Sequence, residues 1–121
     1  MNTINERPHK KLRVWQKAME LVTSVYRMTA QFPREAEFGL KAQLRRAAVS
    51  VPSNISEGLT RRTRKNKLHF LNIAQGSLSE IDAQIEISER LEFLSEDAVL
   101  EVNNLQTDVE KLLSGLIRSL S

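Results

Sequence analysis

Five cations crowd one short stretch of the sequence, Arg61, Arg62, Arg64, Lys65 and Lys67 within "SNISEGLTRRTRKNKLHF" (residues 53–70). Guanidinium and ammonium groups at this density suit phosphate contact with a nucleic-acid backbone. Lys41 and Arg45, one helical turn apart and flanked by Arg46, add a second basic edge. No aromatic pair of the RNA-recognition type and no helix-turn-helix pattern accompanies them, so binding would follow charge and shape rather than base identity. Phe70 is the only aromatic near the main cluster.

Other chemistry finds little support. A di-iron bundle needs Glu-x-x-His on two helices, whereas the chain has two histidines, His9 and His69. Glu6 and His9 have the spacing but flank a proline near the chain start, and Asn66 stands where His69 would need its glutamate. No metal site or cofactor is expected. No glycine-rich phosphate loop or nucleophile elbow occurs. Ser77 lies in "GSLSE" inside a helical pattern, far in sequence from a base. No catalytic residue is assigned, and the expectation is a protein that is not an enzyme.

The cations must be placed by helices. Val14, Ala18, Leu21, Val25, Met28 and Phe32 recur at spacings of three and four, widened by Trp15, Val22 and Tyr26, and Pro33 ends this first helix. A second stripe runs through Leu40, Leu44, Ala47, Ala48, Val51, Ile55 and Leu59. Pro52 falls inside it, so either the helix kinks there or a new one begins with Ser50 as its cap. The kinked helix is preferred, closed by Gly58 in the left-handed conformation.

A third helix from about Thr63 to Leu94, about 45 Å long, carries Leu71, Ala74, Leu78, Ile81 and Ile85 on one stripe, with Phe70, Ile73, Ile87, Leu91 and Leu94 on its shoulder. Such breadth predicts contacts on more than one side. Gly76 within it costs about 1 kcal/mol relative to alanine, which predicts close packing there, within or between subunits. Ser95 caps a fourth helix, with Glu96 and Asp97 in its first turn and Ala98, Val102, Leu105, Val109, Leu112 and Leu116 along its stripe. Short connections predict an all-α, antiparallel up-down-up-down four-helix bundle over residues 12–121, behind a flexible tail of residues 1–11.

Composition agrees with one domain of 121 residues. The absence of cysteine removes disulfide and thiol chemistry. No apolar run reaches the roughly 20 residues of a membrane span, and the first residues lack a signal-peptide core, so a cytoplasmic location is expected and the sequon at Asn54 is read as chance. The net charge of +3 conceals a polarised chain: residues 1–40 carry +3, residues 41–79 carry +7 and residues 80–121 carry −7. The acidic group Glu80, Asp82, Glu86, Glu89 and Glu92 reads as a solvated face or a surface for a basic partner.

Cations at a helix N-terminus oppose the local dipole by some tenths of a kcal/mol each. Three readings answer this: attraction to the carbonyl ends of neighbouring helices, contact with nucleic-acid phosphates, or pairing with another subunit's acidic face. A protein-protein adaptor without nucleic acid is therefore the alternative function.

"VWQKAMEL" followed by "FP", then "FGLKAQLRRAAVSVPSNISEG" and "FLNIAQGSLSEI", resemble the bacterial four-helix-bundle proteins encoded by intervening sequences in 23S ribosomal RNA genes. The resemblance spans about residues 12–120, with Ser56 where members more often have alanine. That family is similar to the accessory variability proteins of diversity-generating retroelements, barrel-shaped pentamers that bind nucleic acid and a reverse transcriptase. The resemblance implies a homopentamer, a nucleic-acid partner (RNA before DNA), a reverse transcriptase as a further partner, and no catalytic residues. It puts forward Arg45, Arg46, Arg61, Arg62, Arg64, Lys65 and Lys67 as phosphate contacts.

Overall fold

The computed structural model describes residues 7–121; of the predicted tail of residues 1–11, residues 1–6 lie outside them, and with them Glu6 of the Glu6 to His9 pair. The described residues form four α-helices: α1 (Arg13–Thr29), α2 (Leu40–Thr60), α3 (Arg64–Arg90) and α4 (Glu96–Leu120). Short 3-10 turns at Pro8–Lys11 and Arg34–Ala36 precede α1 and α2. Pro8–Lys11, assigned to the tail from sequence, packs on the bundle: His9 meets the Trp15 ring edge-on at 5.2 Å, and Gln16 Nε2 donates to the Lys10 carbonyl.

Each helix packs on two neighbours, α1 on α2 and α4, α3 on α2 and α4. Leu21, Leu44, Ile55, Leu71, Leu78, Ile81 and Leu113 fill the centre with no solvent exposure beyond 2%. The predicted α1 stripe is buried throughout, as are Leu44, Ala47, Ala48, Val51 and Ile55 of α2. In α4 the buried face is rotated slightly: Val99, Val102, Leu105, Gln106, Val109 and Leu113 point inward, and Ala98 is exposed.

Between α2 and α3, Gln43 meets Gln84, Ser50 meets Ser77 and Leu59 meets Lys67, so residue numbers rise along one helix as they fall along the other. Ser77 Oγ donates to Ser50 Oγ at 2.8 Å, and Asn54 Nδ2 donates to the same oxygen at 2.9 Å and to the Ser50 carbonyl at 2.8 Å. The sequon asparagine is therefore a helical side chain bonded to its own preceding turn.

Three helix ends differ from expectation. α2 runs through Pro52 and past Gly58 to Thr60, and no described glycine has a positive φ. Gly58 serves a different purpose: a Cβ there would lie 3.1 Å from the Lys67 carbonyl oxygen and 3.2 Å from Leu71 Cγ and Cδ2, so its missing side chain lets α3 approach. α1 ends at Thr29, whose buried hydroxyl donates to the Val25 carbonyl at 2.8 Å.

α3 stops at Arg90 rather than Leu94. Glu92 takes φ 63°, Phe93 N donates to the Ser88 carbonyl and Glu92 N to the Glu89 carbonyl, the paired bonds of a Schellman cap with a glutamate in the usual glycine position. Phe93 packs against Phe32 at 5.7 Å between ring centres, which ties this turn to the end of α1. Ser95 then caps α4 by accepting from Ala98 N at 3.3 Å.

Candidate nucleic-acid interface

The α2–α3 turn is built by two adjacent devices. Arg61 leaves α2 in an extended conformation (φ −74°, ψ 154°), and Thr63 caps α3 by accepting from Asn66 N at 3.1 Å. The chain thus reverses within three residues, two of them arginines, and the first helical turn of α3 adds Arg64 and Lys65.

The protein engages some of these cations and leaves others. Arg61 Nη2 donates to Glu57 Oε2 at 2.6 Å, and its guanidinium lies 4.7 Å from the centre of the Phe70 ring. Lys67 Nζ reaches the Leu59 carbonyl at 3.4 Å, where the last turn of α2 leaves its carbonyls without helical partners. Arg62, Arg64 and Lys65 are exposed, and no carboxylate, carbonyl or ring among the described residues engages them. Arg61 is half-exposed beside them, its charge shared with Glu57.

Arg45 and Arg46 do not join this cluster. Arg46 and Arg62 are sixteen positions apart with α2 between them, about 24 Å along the axis. Arg45 is occupied within the fold: Nε donates to Thr29 Oγ1 at 2.9 Å, Nη2 to the Tyr26 carbonyl at 3.1 Å, and the guanidinium lies 4.2 Å from the centre of the Tyr26 ring. Arg46 is exposed with no partner among the described residues. Lys41 is paired with Glu37 at 3.0 Å. The seven cations singled out from sequence therefore divide into a set at the α2–α3 turn and a pair near the start of α2.

Opposite the core, α3 carries Ile73, Gly76, Glu80, Ala83 and Ile87 along one exposed strip that its C-cap Leu91 extends, with Ile87 47% and Leu91 54% accessible. A Cβ built on Gly76 meets nothing within 4 Å, so the close packing expected at this glycine does not occur inside the subunit. Its neighbour Ser77 does pack, against Ser50. No group of three or more His, Asp or Glu side chains among the described residues could hold a metal ion, and none of the described helices is long and apolar enough to cross a membrane.

The family model of the 23S rRNA-intervening sequence protein matches residues 10–115. The chain belongs to this family. The fold is similar to that in a crystal structure of a protein with unknown function from the S23 ribosomal protein family of Bacteroides thetaiotaomicron, which is 25% identical, covers 87% of this chain and 95% of its own, and superposes with a TM-score of 0.79. No curated protein matches the sequence.

The blocks that carry the family resemblance now have physical roles. Gln43 bonds Gln84 across the α2–α3 contact, Asn54 holds the Ser50 hydroxyl that accepts from Ser77 of α3, and Gly58 leaves the space for α3 to approach. Sequence reading missed the Arg45–Tyr26 stack, because nineteen positions separate the partners. It also missed Phe38, which is 95% exposed.

Proposed function

We propose that this member of the 23S rRNA-intervening sequence protein family is a non-enzymatic, oligomeric, cytoplasmic scaffold that binds structured RNA, or DNA, through phosphate contacts at the α2–α3 turn. One observation carries the reading. Arg62, Arg64 and Lys65 stand without a partner among the described residues at the positive end of the α3 dipole, where each cation is disfavoured by some tenths of a kcal/mol. Their neighbours Arg61 and Lys67 find a carboxylate and a helix-end carbonyl, so the fold satisfies the cations it can reach and exposes three that it does not. A polyanion would offset that cost, and the −7 charge of residues 80–121 keeps the attraction local.

The oligomeric part rests on the outer strip of α3. Gly76 weakens an exposed helix with no return inside the subunit, and Ile73, Ile87 and Leu91 remain accessible beside it. Close approach of a second helix would account for both. The count of five subunits and a reverse transcriptase as partner rest on resemblance to accessory variability proteins. The same strip also favours the adaptor alternative, in which assembly alone is the role.

Salt titration of binding to an RNA hairpin and to duplex DNA tests the nucleic-acid reading. Each phosphate contact contributes about 0.9 to the slope of log affinity against log salt on duplex DNA, so R62Q/R64Q/K65Q should lower that slope by about two to three. An unchanged slope and affinity in the triple variant would reject the interface. An assembly that ignores nucleic acid at low salt would favour the adaptor.

A further inference from the structure

Between α1 and the start of α2 lies an open cleft of about 740 Å³ whose lining includes Tyr26, Phe38, Lys41, Arg45, Arg46 and Asn54. We infer that it is a second nucleic-acid site, one that takes an unpaired nucleotide by stacking its base on Phe38 and pairing its phosphate with Arg46 and Arg45.

Phe38 is the anchor. A phenylalanine 95% exposed gains nothing from folding, yet this one is held on an ordered turn. Ala36, two residues earlier, is buried, Gly39 N donates to the Ala36 carbonyl at 3.3 Å, and α2 begins at Leu40. The ring is thus a presented flat surface, and aromatic rings of this kind are stacking platforms for bases of any identity.

The charge of the cleft selects an anion. Glu37 is matched by Lys41, which leaves two guanidinium groups in excess. Arg45 is fixed by Thr29, the Tyr26 carbonyl and the Tyr26 ring, so that no ordering cost remains when its unused Nη1 meets a ligand. Arg46 is exposed and unpartnered among the described residues. Ring and paired cations together match a nucleotide. An apolar protein anchor has a better seat next door, where Trp15, Met19, Val22, Val49 and Pro52 line a separate hollow of about 290 Å³.

This inference rests on the nucleic-acid role proposed above and gives it a substrate class. With about 24 Å of α2 between Arg46 and Arg62, a single RNA with a duplex end at the α2–α3 turn and a single-stranded tail of about seven stacked nucleotides, at 3.4 Å each, would reach both sites. A duplex with an unpaired extension is then the preferred ligand.

The experiment uses the full chain with three RNAs: a blunt hairpin, the same hairpin with an eight-nucleotide tail, and the tail alone, with 2-aminopurine placed at successive tail positions. The tailed hairpin should bind the wild type most tightly, with emission quenched at one tail position. F38A should weaken the tailed hairpin about tenfold, as expected for one stacked base, abolish the quench and leave the blunt hairpin within twofold. F38Y should restore both, and R46Q should weaken the tail without affecting the blunt hairpin. Equal binding of blunt and tailed hairpins, or quenching that persists in F38A, would overturn the inference while leaving the turn interface intact. Binding of the tail that depends on Phe38, with no binding of the blunt hairpin, would uphold this site and reject the turn. A changed assembly mass in F38A with unchanged RNA affinity would assign Phe38 to a contact between copies and overturn the inference.

Discussion

Replacing Gly76 with alanine should have opposite effects on the subunit and on its assembly. Within α3 the new methyl group meets nothing within 4 Å, so the only internal effect is helix propensity, about 1 kcal/mol in favour of alanine. With a urea dependence of about 1–2 kcal/mol per molar for a chain of this size, the unfolding midpoint of dilute subunits should rise by about 0.5–1 M. If a second helix approaches the strip of Ile73, Gly76, Ala83 and Ile87, the same methyl group is forced into a close contact. Overpacking of that kind costs about 1–3 kcal/mol, which weakens association about 5- to 150-fold per interface. Urea unfolding monitored by circular dichroism, together with light scattering across a concentration series, reads the two effects separately. A lower midpoint in dilute protein would refute the free space at Gly76. A raised midpoint with unchanged association would refute assembly through this face.

Gly58 should behave differently, because a Cβ there lies 3.1 Å from the backbone oxygen of Lys67. For G58A, overpacking of about 1–3 kcal/mol outweighs the propensity gain of about 1 kcal/mol, and the urea midpoint should fall. E92G should raise it: a glutamate at φ 63° carries left-handed strain of about 1–2 kcal/mol, partly offset by the entropy of glycine, for a net gain of about 0.5–1 kcal/mol. L44A empties a fully buried site and should destabilise the subunit by about 2–5 kcal/mol, measured in the same denaturation assay.

Periodicity alone determined the four helices and most of the core, because residues three and four apart share a helix face whatever the helix later packs against. The Ser95 cap was legible for a similar reason, since its hydroxyl acts on an amide three residues away. The ends of α2 and α3 were not. Gly58 looked like a helix stop, but its role depends on α3, which is distant enough in the pattern to leave no local mark. Glu92 took the left-handed position because Phe93 packs on Phe32, sixty-one positions earlier.

The candidate interface divides along the same line. Spacing set Arg45 and Arg46 some turns apart from the five cations of residues 61–67, and no letter distinguished the members of either set. Tertiary structure decided that Arg45 belongs to Tyr26 and Thr29, that Lys67 belongs to the end of α2, and that Arg62, Arg64 and Lys65 have no partner among the described residues. A charge is a property of a residue, but its availability depends on which oxygens and rings the fold brings within about 4 Å, and those partners come from other helices.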